Sequence, residues 1–384
     1  MKKVLFVFER LQVNGASKSL VALLNAVSNE YDVSLFLFSH DGEMISELPS
    51  NVKLLPKIAE YKVLSQQMKV AVAESIKRGK FALAWFRFRV FLQRGTRRPF
   101  SQWKKLPEIR GDWDVVCSYA DGFVSNVVIN KVVGGKKVLW VHENYEDNPK
   151  SKDVLESFVK ADAIVGVSRD AVNHLSNLLG PAVDGKLHVV HNIVNSKNVK
   201  SLAASENVSL VDGAYNLVSV GRVSYEKGYD LIPTILQMLV QRGLNVHWSI
   251  IGSGLPSIKD SIIIEAQKLG VDGRIHFLGE KANPHPYTKV ADCFVQLSRH
   301  EGWCMTITEA LALGVPVVVS DLPVFHEQVV EGVNGYFAHD VASFAEAISA
   351  VLAHKIDFIE SNSSPCEPLV VRDDFDELIS CVTR

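Results

Sequence analysis

The sequence predicts an α/β protein whose two halves each form a parallel sheet covered by helices. Short runs of Val, Ile, Leu and Phe alternate with longer amphipathic stretches along most of the chain. Continuous apolar runs are typical of strands that are buried on both faces, and parallel strands require connections of helical length. The alternation stops in a polar stretch at about 194–213 and then restarts. We interpret that stretch as the connection between two domains.

Composition and charge narrow the class of protein. The chain has 384 residues, of which 47% are apolar and 22% are charged, and its net charge is −2. These values exclude bulk disorder and give no sign of nucleic-acid binding. The apolar runs are shorter than the ~18 residues of a membrane span, and the run after Met1 is too short for a secretory signal. Five scattered cysteines without a CxxC pair predict a cytoplasmic protein.

Each half is predicted to alternate strands with helices in chain order. Open sheets of this kind bind ligands beyond the carboxyl ends of their strands, so we expect the site in a cleft between the halves. Strands are predicted at 4–8, 33–38, 115–119, 137–141, 163–167 and 187–190, and then at 216–220, 246–251, 275–277, 293–297 and 315–319. Helices are predicted at 16–27, 229–241, 257–269, 306–313 and near the carboxyl end at 371–384.

Residues 69–110 depart from the alternation. They contain twelve Lys or Arg against two Glu, which gives a local charge of +10 in a protein of net charge −2. Basic residues beside aromatic ones are typical of a surface that binds anionic lipid, so we predict peripheral attachment to the inner face of the cell membrane. The alternative is an amphipathic helix with a solvated basic face. The aromatic residues are Trp85, Phe86, Phe88 and Phe91, and the arginines are Arg87, Arg89, Arg94, Arg97 and Arg98.

The first strand of the second half ends in a turn that carries two cations. Arg222 and Lys227 lie between this strand and the next predicted helix, so both can converge with the helix amino terminus on one anion, such as a diphosphate. The alternative is a surface ion pair between Arg222 and Glu226. Glycines at the strand ends permit either a close ligand or a plain turn. These glycines are Gly221, Gly252 and Gly254.

The segment "SRHEGWCMTITEALALGVPVVVSD" contains two glutamates with seven residues between them. Gly302 permits a tight turn, and a helix is predicted to begin within 303–305. The first amides of that helix lack intrahelical partners and would point its positive end at an anion. Glu309, one turn into the helix, can accept two hydroxyls of a ribose, and Glu301 can reach a sugar. The alternatives are that Glu301 caps the helix and that Glu309 is a solvated helical residue.

These motifs resemble those of the retaining GT-B glycosyltransferases of family 4. Four segments of the second half match in order: "GRVSYEKG", "IGSG", "HEGWCMTITEALALGVPVVVSD" and "VVEGVNGYF". The first half is similar in "ERLQVNGASKSLVALLN", "VLWVHE", "VGVSRDAVNHL" and "VVHNIVN". The sequence departs from the family at Cys304, where Pro or Gly is usual, and in the first loop, where Asn14, Ala16 and Ser17 replace most of the usual Gly and Glu residues.

The resemblance implies a fold and a division of labour between domains. Two Rossmann-like domains would face each other across a cleft, and the last helix would cross back to the first domain. Residues 1–194 together with 371–384 would bind the acceptor, and residues 195–370 would bind a nucleotide-sugar donor, most often a UDP-sugar in this family. The basic stretch at 69–110 favours a lipid-linked glycan acceptor. Such an acceptor, on undecaprenyl diphosphate for example, would fit capsule, O-antigen or exopolysaccharide synthesis on a bacterial surface.

The resemblance also implies a role for each matching residue. Arg222 and Lys227 would bind the diphosphate and stabilise the departing nucleotide, while Glu309 would hold the ribose. Glu301 would hold the transferred sugar. His142 would contact the sugar, and Asp121 would be a carboxylate on the acceptor side. Gly15 would allow the first loop to approach the ligand closely. Backbone contacts to the sugar and distal phosphate would come from Gly302, Trp303, Cys304 and Met305.

The same residues predict a reaction without a metal or another cofactor. The Asp-x-Asp at 112–114 precedes its strand instead of following one, so Arg222 and Lys227 would take the place of a metal at the leaving diphosphate. The family transfers sugars with retention, which is usually described as substitution on the front face. The sequence has no clear pair of Asp or Glu residues acting as nucleophile and acid, which is compatible with that description.

Two other functions are considered. A nicotinamide-dependent oxidoreductase would need a GxGxxG motif after the first strand, and "ERLQVNGAS" has one glycine. A non-catalytic module that only binds sugar nucleotides would be indicated by loss of Arg222, Lys227 or Glu309, and all three are present. The sequence therefore favours a glycosyltransferase.

Overall fold

The computed structural model describes residues 1–94, 106–142, 152–353 and 368–384. These residues form two compact units. The first unit comprises Met1–Ile193 and Leu369–Arg384, and the second comprises Val194–Pro368. The predicted domain boundaries, after residues 194 and 370, lie within two residues of these transitions.

The first unit is built on a parallel sheet of seven strands in the described part of the chain, in the order β3-β2-β1-β5-β7-β8-β9. A separate pair, β4 and β6, is also parallel. The strands are β1 (Lys3–Phe8), β2 (Asp32–Leu37), β3 (Lys53–Leu54), β4 (Ile109–Arg110), β5 (Val115–Ser118), β6 (Val132–Val133), β7 (Lys136–Val141), β8 (Ala163–Gly166) and β9 (Leu187–Val189). The helices are α1 (Gly15–Val27), α2 (Ala59–Ser65), α3 (Met68–Lys77), α4 (Phe81–Arg94), α5 (Phe123–Lys131), α6 (Lys152–Lys160) and α7 (Arg169–Leu179).

The second unit has its own parallel sheet of six strands among the described residues, in the order β12-β11-β10-β13-β14-β15. Its strands are β10 (Tyr215–Val220), β11 (Val246–Ile251), β12 (Ile275–Gly279), β13 (Cys293–Gln296), β14 (Val317–Ser320) and β15 (Gly335–Ala338). Its helices are α8 (Ser196–Ala203), α9 (Ile232–Gln241), α10 (Pro256–Leu269), α11 (His285–Lys289), α12 (Met305–Ala312) and α13 (Val341–Ala353).

The strand order of the second sheet determines where its site lies. The first strand, β10, pairs with β11 on one side and with β13 on the other. Strands β11 and β12 lie on one side of β10, and β13, β14 and β15 lie on its other side. The loops after β10 and β13 therefore lead in opposite directions across the sheet. Ligands of open α/β sheets bind at such a switch point, beyond the carboxyl ends of the strands. The predicted donor motifs follow these strands.

The polar stretch at 194–213 is not an unstructured connection throughout. Residues Ser196–Ala203 form α8, and the side chain of Asn195 caps it by accepting a 3.1 Å hydrogen bond from the backbone N–H of Asn198. Val199 and Ala203 are buried one turn apart. The helix lies in the second unit, where it packs on α11 and α12. A helix this short buries only one narrow face, which explains why its periodicity is weak in the sequence.

The predicted return of the chain to its first domain is confirmed. The last helix, α14 (Pro368–Val382), belongs to the first unit. The ring of Phe375 lies 6.0 Å from that of Phe6 and 6.3 Å from that of Trp140, measured between centroids. The hydroxyl of Tyr31 donates a 2.6 Å hydrogen bond to Asp376. The helix therefore completes the core of the first unit.

One prediction for the basic segment is wrong. Arg87 is predicted to lie with the other arginines on a lipid-facing surface, but its side chain is buried, with 3% exposure. Its Nη2 donates a 2.8 Å hydrogen bond to the carbonyl of Gln66, which ties α4 to the start of α3. Arg89 is exposed. The side chain of Arg94, together with Arg97 and Arg98, lies outside the described residues.

The helices among the described residues are each too short or too polar to cross a bilayer.

We expect that the substitution Phe375→Ala destabilises the first unit by about 3–5 kcal/mol, because it removes a fully buried ring from a packed aromatic cluster. The change is measured as the free energy of unfolding in urea. Phe81→Ala is the control, since 66% of Phe81 is exposed, and it should change stability by less than about 0.5 kcal/mol. Equal effects of the two substitutions would contradict the packing of α14 on the first unit.

Candidate functional site

The turns after β10 and β11 lie against each other at the switch point. The backbone N–H of Gly221 donates to the carbonyl of Ile251 over 2.9 Å, and that of Val223 donates to the carbonyl of Ser253 over 2.7 Å. A Cβ on Gly252 would come within 1.9 Å of the Gly221 carbonyl oxygen. A glycine is thus needed at position 252, where the two turns touch.

Lys227 ends a short 3₁₀ turn over Tyr225–Lys227. The next residue, Gly228, has a φ of +69°, and a Cβ there would come within 2.0 Å of the Leu297 carbonyl oxygen. A glycine is therefore required for the turn to approach the end of β13. This close approach brings Lys227 to the loop that carries Glu301.

Lys227 and Glu301 form an ion pair between Nζ and Oε1, and 21% and 12% of their side chains are exposed. The same Oε1 accepts a 2.7 Å hydrogen bond from Ser298, whose hydroxyl in turn accepts a 2.6 Å bond from Gln296. Burial alone would lower the pKa of Lys227, but the charge of Glu301 and its hydrogen bond outweigh burial, so the pKa is raised. Lys227 is therefore a cation at physiological pH.

The position of Glu301 excludes the alternative in which it caps α12. No side chain makes a capping hydrogen bond at the start of α12, where the N-cap residue is Cys304. Glu301 is instead held by Lys227 and Ser298, and both bonds go to Oε1. Its Oε2 has no hydrogen-bonding partner among the described residues, so this oxygen can accept a hydroxyl from a ligand.

Arg222 follows Gly221 and is exposed. It forms no ion pair with Glu226 or with another carboxylate in the described parts of the chain. The pKa of Glu226 is held low first by a hydrogen bond from Ser224, and the charge of Arg222 is a smaller cause. Arg222 is therefore a second cation, and it is accessible to solvent and to a ligand. The group of Arg222, Lys227 and Glu301 is called the corner.

The amino terminus of α12 lies in the same loop. The helix begins at Met305, and its first amides have no intrahelical acceptor. Cys304 is buried, and its Sγ lies 3.2 Å from the hydroxyl of Thr306. Burial raises the pKa of Cys304 to about 11, so the residue is a neutral thiol at physiological pH. The positive end of α12 thus adds to the charge of Lys227 nearby.

Glu309 is the fifth residue of α12 and is 5% exposed, so the alternative of a solvated helical glutamate is wrong. Its Oε2 lies 3.9 Å from Nδ1 of His285, and 7% and 4% of the two side chains are exposed. His285 was missed by the sequence analysis, because it lies 24 positions before Glu309 in the chain and no pattern links the two. A buried carboxylate at this position retains its charge only with polar partners or a ligand.

Arg299 joins the two segments that carry the cations and Glu301. Its guanidinium donates two 2.8 Å hydrogen bonds to the carboxylate of Asp230 and one of 2.5 Å to the carbonyl of Tyr225. It also lies 3.9 Å from the centroid of the Tyr225 ring. Its backbone N–H donates to the carbonyl of Glu226 over 2.8 Å. No sequence motif predicts this role for Arg299, which fixes the 225–230 turn against the loop after β13.

Tyr229 is fully buried beside this corner. Its hydroxyl has no hydrogen-bond partner among the described residues. A Cβ built on Gly221 would lie 3.0 Å from that hydroxyl, which gives Gly221 a packing role. The absence of a side chain at 221 leaves room for the phenol under the corner.

The remaining predicted residues lie in the first unit. His142 directly follows β7, and its Nε2 lies 3.1 Å from the Tyr119 carbonyl, to which it donates. Burial lowers the pKa of His142 to about 4, although the nearby Asp121 carboxylate opposes the shift. His142 is thus neutral at physiological pH. Asp121 follows the neighbouring strand β5, so the two residues lie at the same edge of the sheet.

Gly15 is the first residue of α1 in the same unit. The preceding Asn14 caps that helix by accepting a 2.9 Å hydrogen bond from the N–H of Ser17. The departure from the family pattern at Asn14 therefore creates a helix cap.

The two aspartates of the Asp-x-Asp segment at 112–114 both accept hydrogen bonds from Lys3. Its ammonium donates to Asp112 over 2.6 Å, and its backbone N–H donates to Asp114 over 2.7 Å. They lie at the amino end of β5, away from the strand ends where ligands bind.

The second unit thus brings together Arg222, Lys227, Glu301 and the start of α12, and it buries Glu309 within that helix. Gly252 and Gly254 lie in the adjoining turn, where a Cβ on Gly254 would come within 2.3 Å of the Val223 carbonyl oxygen. Among the described residues, no three His, Cys, Asp or Glu side chains cluster as metal ligands would.

Comparison with known proteins finds a family model that is similar to this unit. Residues 203–363 match the family model of "Glycosyl transferases group 1". A mannosyltransferase of lipopolysaccharide core biosynthesis, LpsB of Rhizobium meliloti, is 33% identical over 29% of this chain and 33% of its own length. An uncharacterized glycosyltransferase of Methanocaldococcus jannaschii is 23% identical over 59% of each chain. The matches thus span only part of these relatives.

Solved structures match over the whole chain. HepE of Anabaena, in complex with UDP and glucose, has a TM-score of 0.67 at 18% identity and covers 99% of this chain and 100% of its own. A variant of TarM of S. aureus, in complex with UDP, fondaparinux and α-GlcNAc-glycerol, has a TM-score of 0.69 at 13% identity over 99% and 100% of the two chains. The chain has the fold of the GT-B glycosyltransferases, and the fold prediction is confirmed.

We expect measurable coupling between Arg299 and Asp230 in the stability of the second unit. A double-mutant cycle with Arg299→Ala and Asp230→Ala should give a coupling free energy of about 1–2 kcal/mol, because the pair is bidentate and charge-assisted. The measurement is urea unfolding of the single and double variants. The control cycle uses the exposed pair of Lys268 and Glu265 on α10, for which we expect ~0.3 kcal/mol. Equal coupling in both cycles would show that Arg299 does not hold the turn.

Proposed function

We propose that this protein is a glycosyltransferase that transfers a sugar from a nucleotide-sugar to a glycan acceptor. The observation that carries the proposal is the convergence of Arg222, the Lys227–Glu301 pair and the start of α12 at the switch point of the second sheet. Two cations and a helix amino terminus are suited to a diphosphate. The match of residues 203–363 to the glycosyl transferases group 1 supports the same reaction class.

The donor is a UDP-sugar. Similar structures contain UDP, UDP with glucose or UDP-glucose, which supports uracil as the base. Lys227 and Arg222 bind the diphosphate of the donor. Lys227 has three N–H donors, so it can retain Glu301 and still reach a phosphate oxygen. Glu309 accepts the ribose hydroxyls, and Oε2 of Glu301 accepts a hydroxyl of the transferred sugar.

The chemistry follows from the charge that develops as the donor bond breaks. The bond between C1 of the sugar and the diphosphate oxygen lengthens, and negative charge accumulates on the departing UDP. Cations and amide dipoles that are already in place stabilise that charge without reorganisation, and such stabilisation accounts for most of the rate enhancement in many enzymes. Arg222, Lys227 and the first amides of α12 supply it here, and for this reason we propose that the reaction needs no metal. An acceptor hydroxyl oxygen forms the new bond to C1 on the face that UDP leaves, and its proton passes to the departing phosphate, so transfer is proposed to proceed with retention, as in family 4.

The acceptor is a lipid-linked glycan of a bacterial surface polysaccharide. Partial relatives include LpsB of Rhizobium meliloti and an O-antigen glycosyltransferase, WclY, of Escherichia coli, which is 24% identical over 43% of this chain and 45% of its own. The first unit is proposed to bind this acceptor. Asp121, at the carboxyl edge of its sheet, is the candidate acceptor contact, and the neutral His142 at the same edge is proposed to contact the transferred sugar.

The first test measures turnover of UDP-sugars by the intact protein in excess EDTA. We expect wild-type turnover to persist, whereas Arg222→Ala and Lys227→Ala should each lower kcat about 10²-fold, as the loss of one oxyanion donor does in other enzymes. Lys268→Ala removes an exposed cation of α10 and is the matched control, which should retain wild-type turnover.

The same assay separates the alternatives. Binding of UDP without turnover of any UDP-sugar, with or without an acceptor, would favour a non-catalytic module. Loss of turnover in EDTA that Mg²⁺ restores would contradict the proposed role of the two cations, while leaving a glycosyltransferase in place.

The second test concerns the ribose. Glu309→Gln should weaken UDP binding by about 1–3 kcal/mol, because it removes hydrogen bonds to a charged group. Isothermal titration should give a much smaller loss for 2′-deoxy-UDP, which lacks one of the two hydroxyls. Glu265→Gln on the exposed face of α10 is the control. Equal losses for UDP and 2′-deoxy-UDP would contradict contact between Glu309 and the ribose.

A further inference from the structure

Helices α3 and α4 form a hairpin on the first unit that does not belong to the alternating sheet and helix layers. The two helices are separated by Gly79, which has a φ of +68°. They pack on each other, and α4 also packs on α2. Ala84, Arg87 and Val90 are buried on the inner face of α4, and Phe86 packs against the core. One face of the hairpin is therefore fixed to the protein.

The outer face of α4 is apolar and exposed. Phe81, Trp85, Phe88 and Leu92 follow one another at intervals of four, three and four residues, which places them in one row along the helix. Their exposed fractions are 66%, 60%, 38% and 54%. The rings of Trp85 and Phe88 lie 5.9 Å apart. At 1.5 Å per residue this apolar row is about 16 Å long.

The described part of the hairpin also carries exposed cations. The exposed basic residues of 68–92 are Lys69, Lys77, Arg78, Lys80 and Arg89. The one acid in that range, Glu74, pairs with Arg78 at 2.5 Å and accepts a 3.0 Å hydrogen bond from Gln66. The net positive charge of the hairpin is thus not neutralised within the hairpin.

We propose that the hairpin lies flat on an anionic lipid bilayer, with the row of Phe81, Trp85, Phe88 and Leu92 inserted among the headgroups. Aromatic and Leu side chains on one face, with Lys and Arg around them, are the composition of helices that bind in the interfacial plane. The cations contact the phosphates of anionic lipids, and the side chains of the apolar row move from water into contact with the acyl chains. Charge complementarity favours an anionic bilayer over a protein surface, which would need an acidic and apolar groove of matching shape.

This proposal does not depend on the proposed reaction, because it concerns a face of the first unit and its test uses no nucleotide. It adds a location to that reaction. A protein held on the membrane by its acceptor-binding unit would meet a lipid-linked acceptor by diffusion in two dimensions.

The test is flotation of the full chain with vesicles of phosphatidylcholine and phosphatidylglycerol, and with vesicles of phosphatidylcholine alone. We expect binding to the anionic vesicles, weaker binding at high salt because exposed charges are screened, and little binding to the neutral ones. Trp85→Gln with Leu92→Gln should lower the partition coefficient at least about tenfold, by removing buried apolar surface. Lys77→Gln, Lys80→Gln and Arg89→Gln together should lower it about a hundredfold, since each cation contributes a factor of about five.

A matched control carries Leu255→Gln and Ile264→Gln, which change exposed apolar residues of the second unit. It should bind anionic vesicles like the wild type. Urea unfolding of all variants verifies that the first unit is intact. Binding that is unchanged by both hairpin variants would overturn the proposal. A second outcome would also overturn it: the wild type does not bind vesicles but sediments as a dimer, and the variant with Trp85→Gln and Leu92→Gln sediments as a monomer. The apolar row would then be a protein interface.

Discussion

The ion pair between Lys227 and Glu301 is the interaction on which the candidate site depends. It joins the turn after β10 to the loop after β13, which diverge at the switch point of the second sheet. Two features hold the pair together. Gly228 lets the turn approach the end of β13, and Arg299 fixes the turn from the other side through Asp230 and Tyr225. Because both charges are largely buried, removing either one would leave the other uncompensated.

The electrostatic design of this corner combines a fixed cation with an adaptable one. Lys227 is locked by Glu301, and Glu301 is locked in turn by Ser298. Arg222 is exposed and has a long side chain that is free to rotate toward a phosphate. The neutral thiol of Cys304 adds no charge where α12 begins. A diphosphate would therefore meet a preorganised positive centre, and the reorganisation on binding would be limited to Arg222.

The alternation of apolar and amphipathic segments was sufficient to predict most strands, because parallel strands buried on both faces leave continuous apolar runs. The donor motifs likewise predicted Arg222, Lys227 and Glu301, whose spacing follows from strand ends.

Contacts between distant segments were not predictable: the pairing of Arg299 with Asp230 and of His285 with Glu309 depends on the folded arrangement of the sheet. Helix α8 was missed because two buried residues give too weak a periodicity. The burial of Arg87 was missed because a charged residue is expected at the surface.

The return of α14 to the first unit has a consequence for the order in which the protein folds during synthesis. Residues 194–368 form a continuous unit that can complete its core as soon as it leaves the ribosome. The first unit is made earlier, yet it waits for residues 369–384, and until they emerge the partners of Phe375, among them Phe6 and Trp140, lack their cover. The first unit is therefore completed only after the second unit has been synthesised, although most of its residues are made first. A chain that ended after residue 368 would therefore expose the apolar surface beneath α14 on the first unit, while the second unit would retain all of its residues.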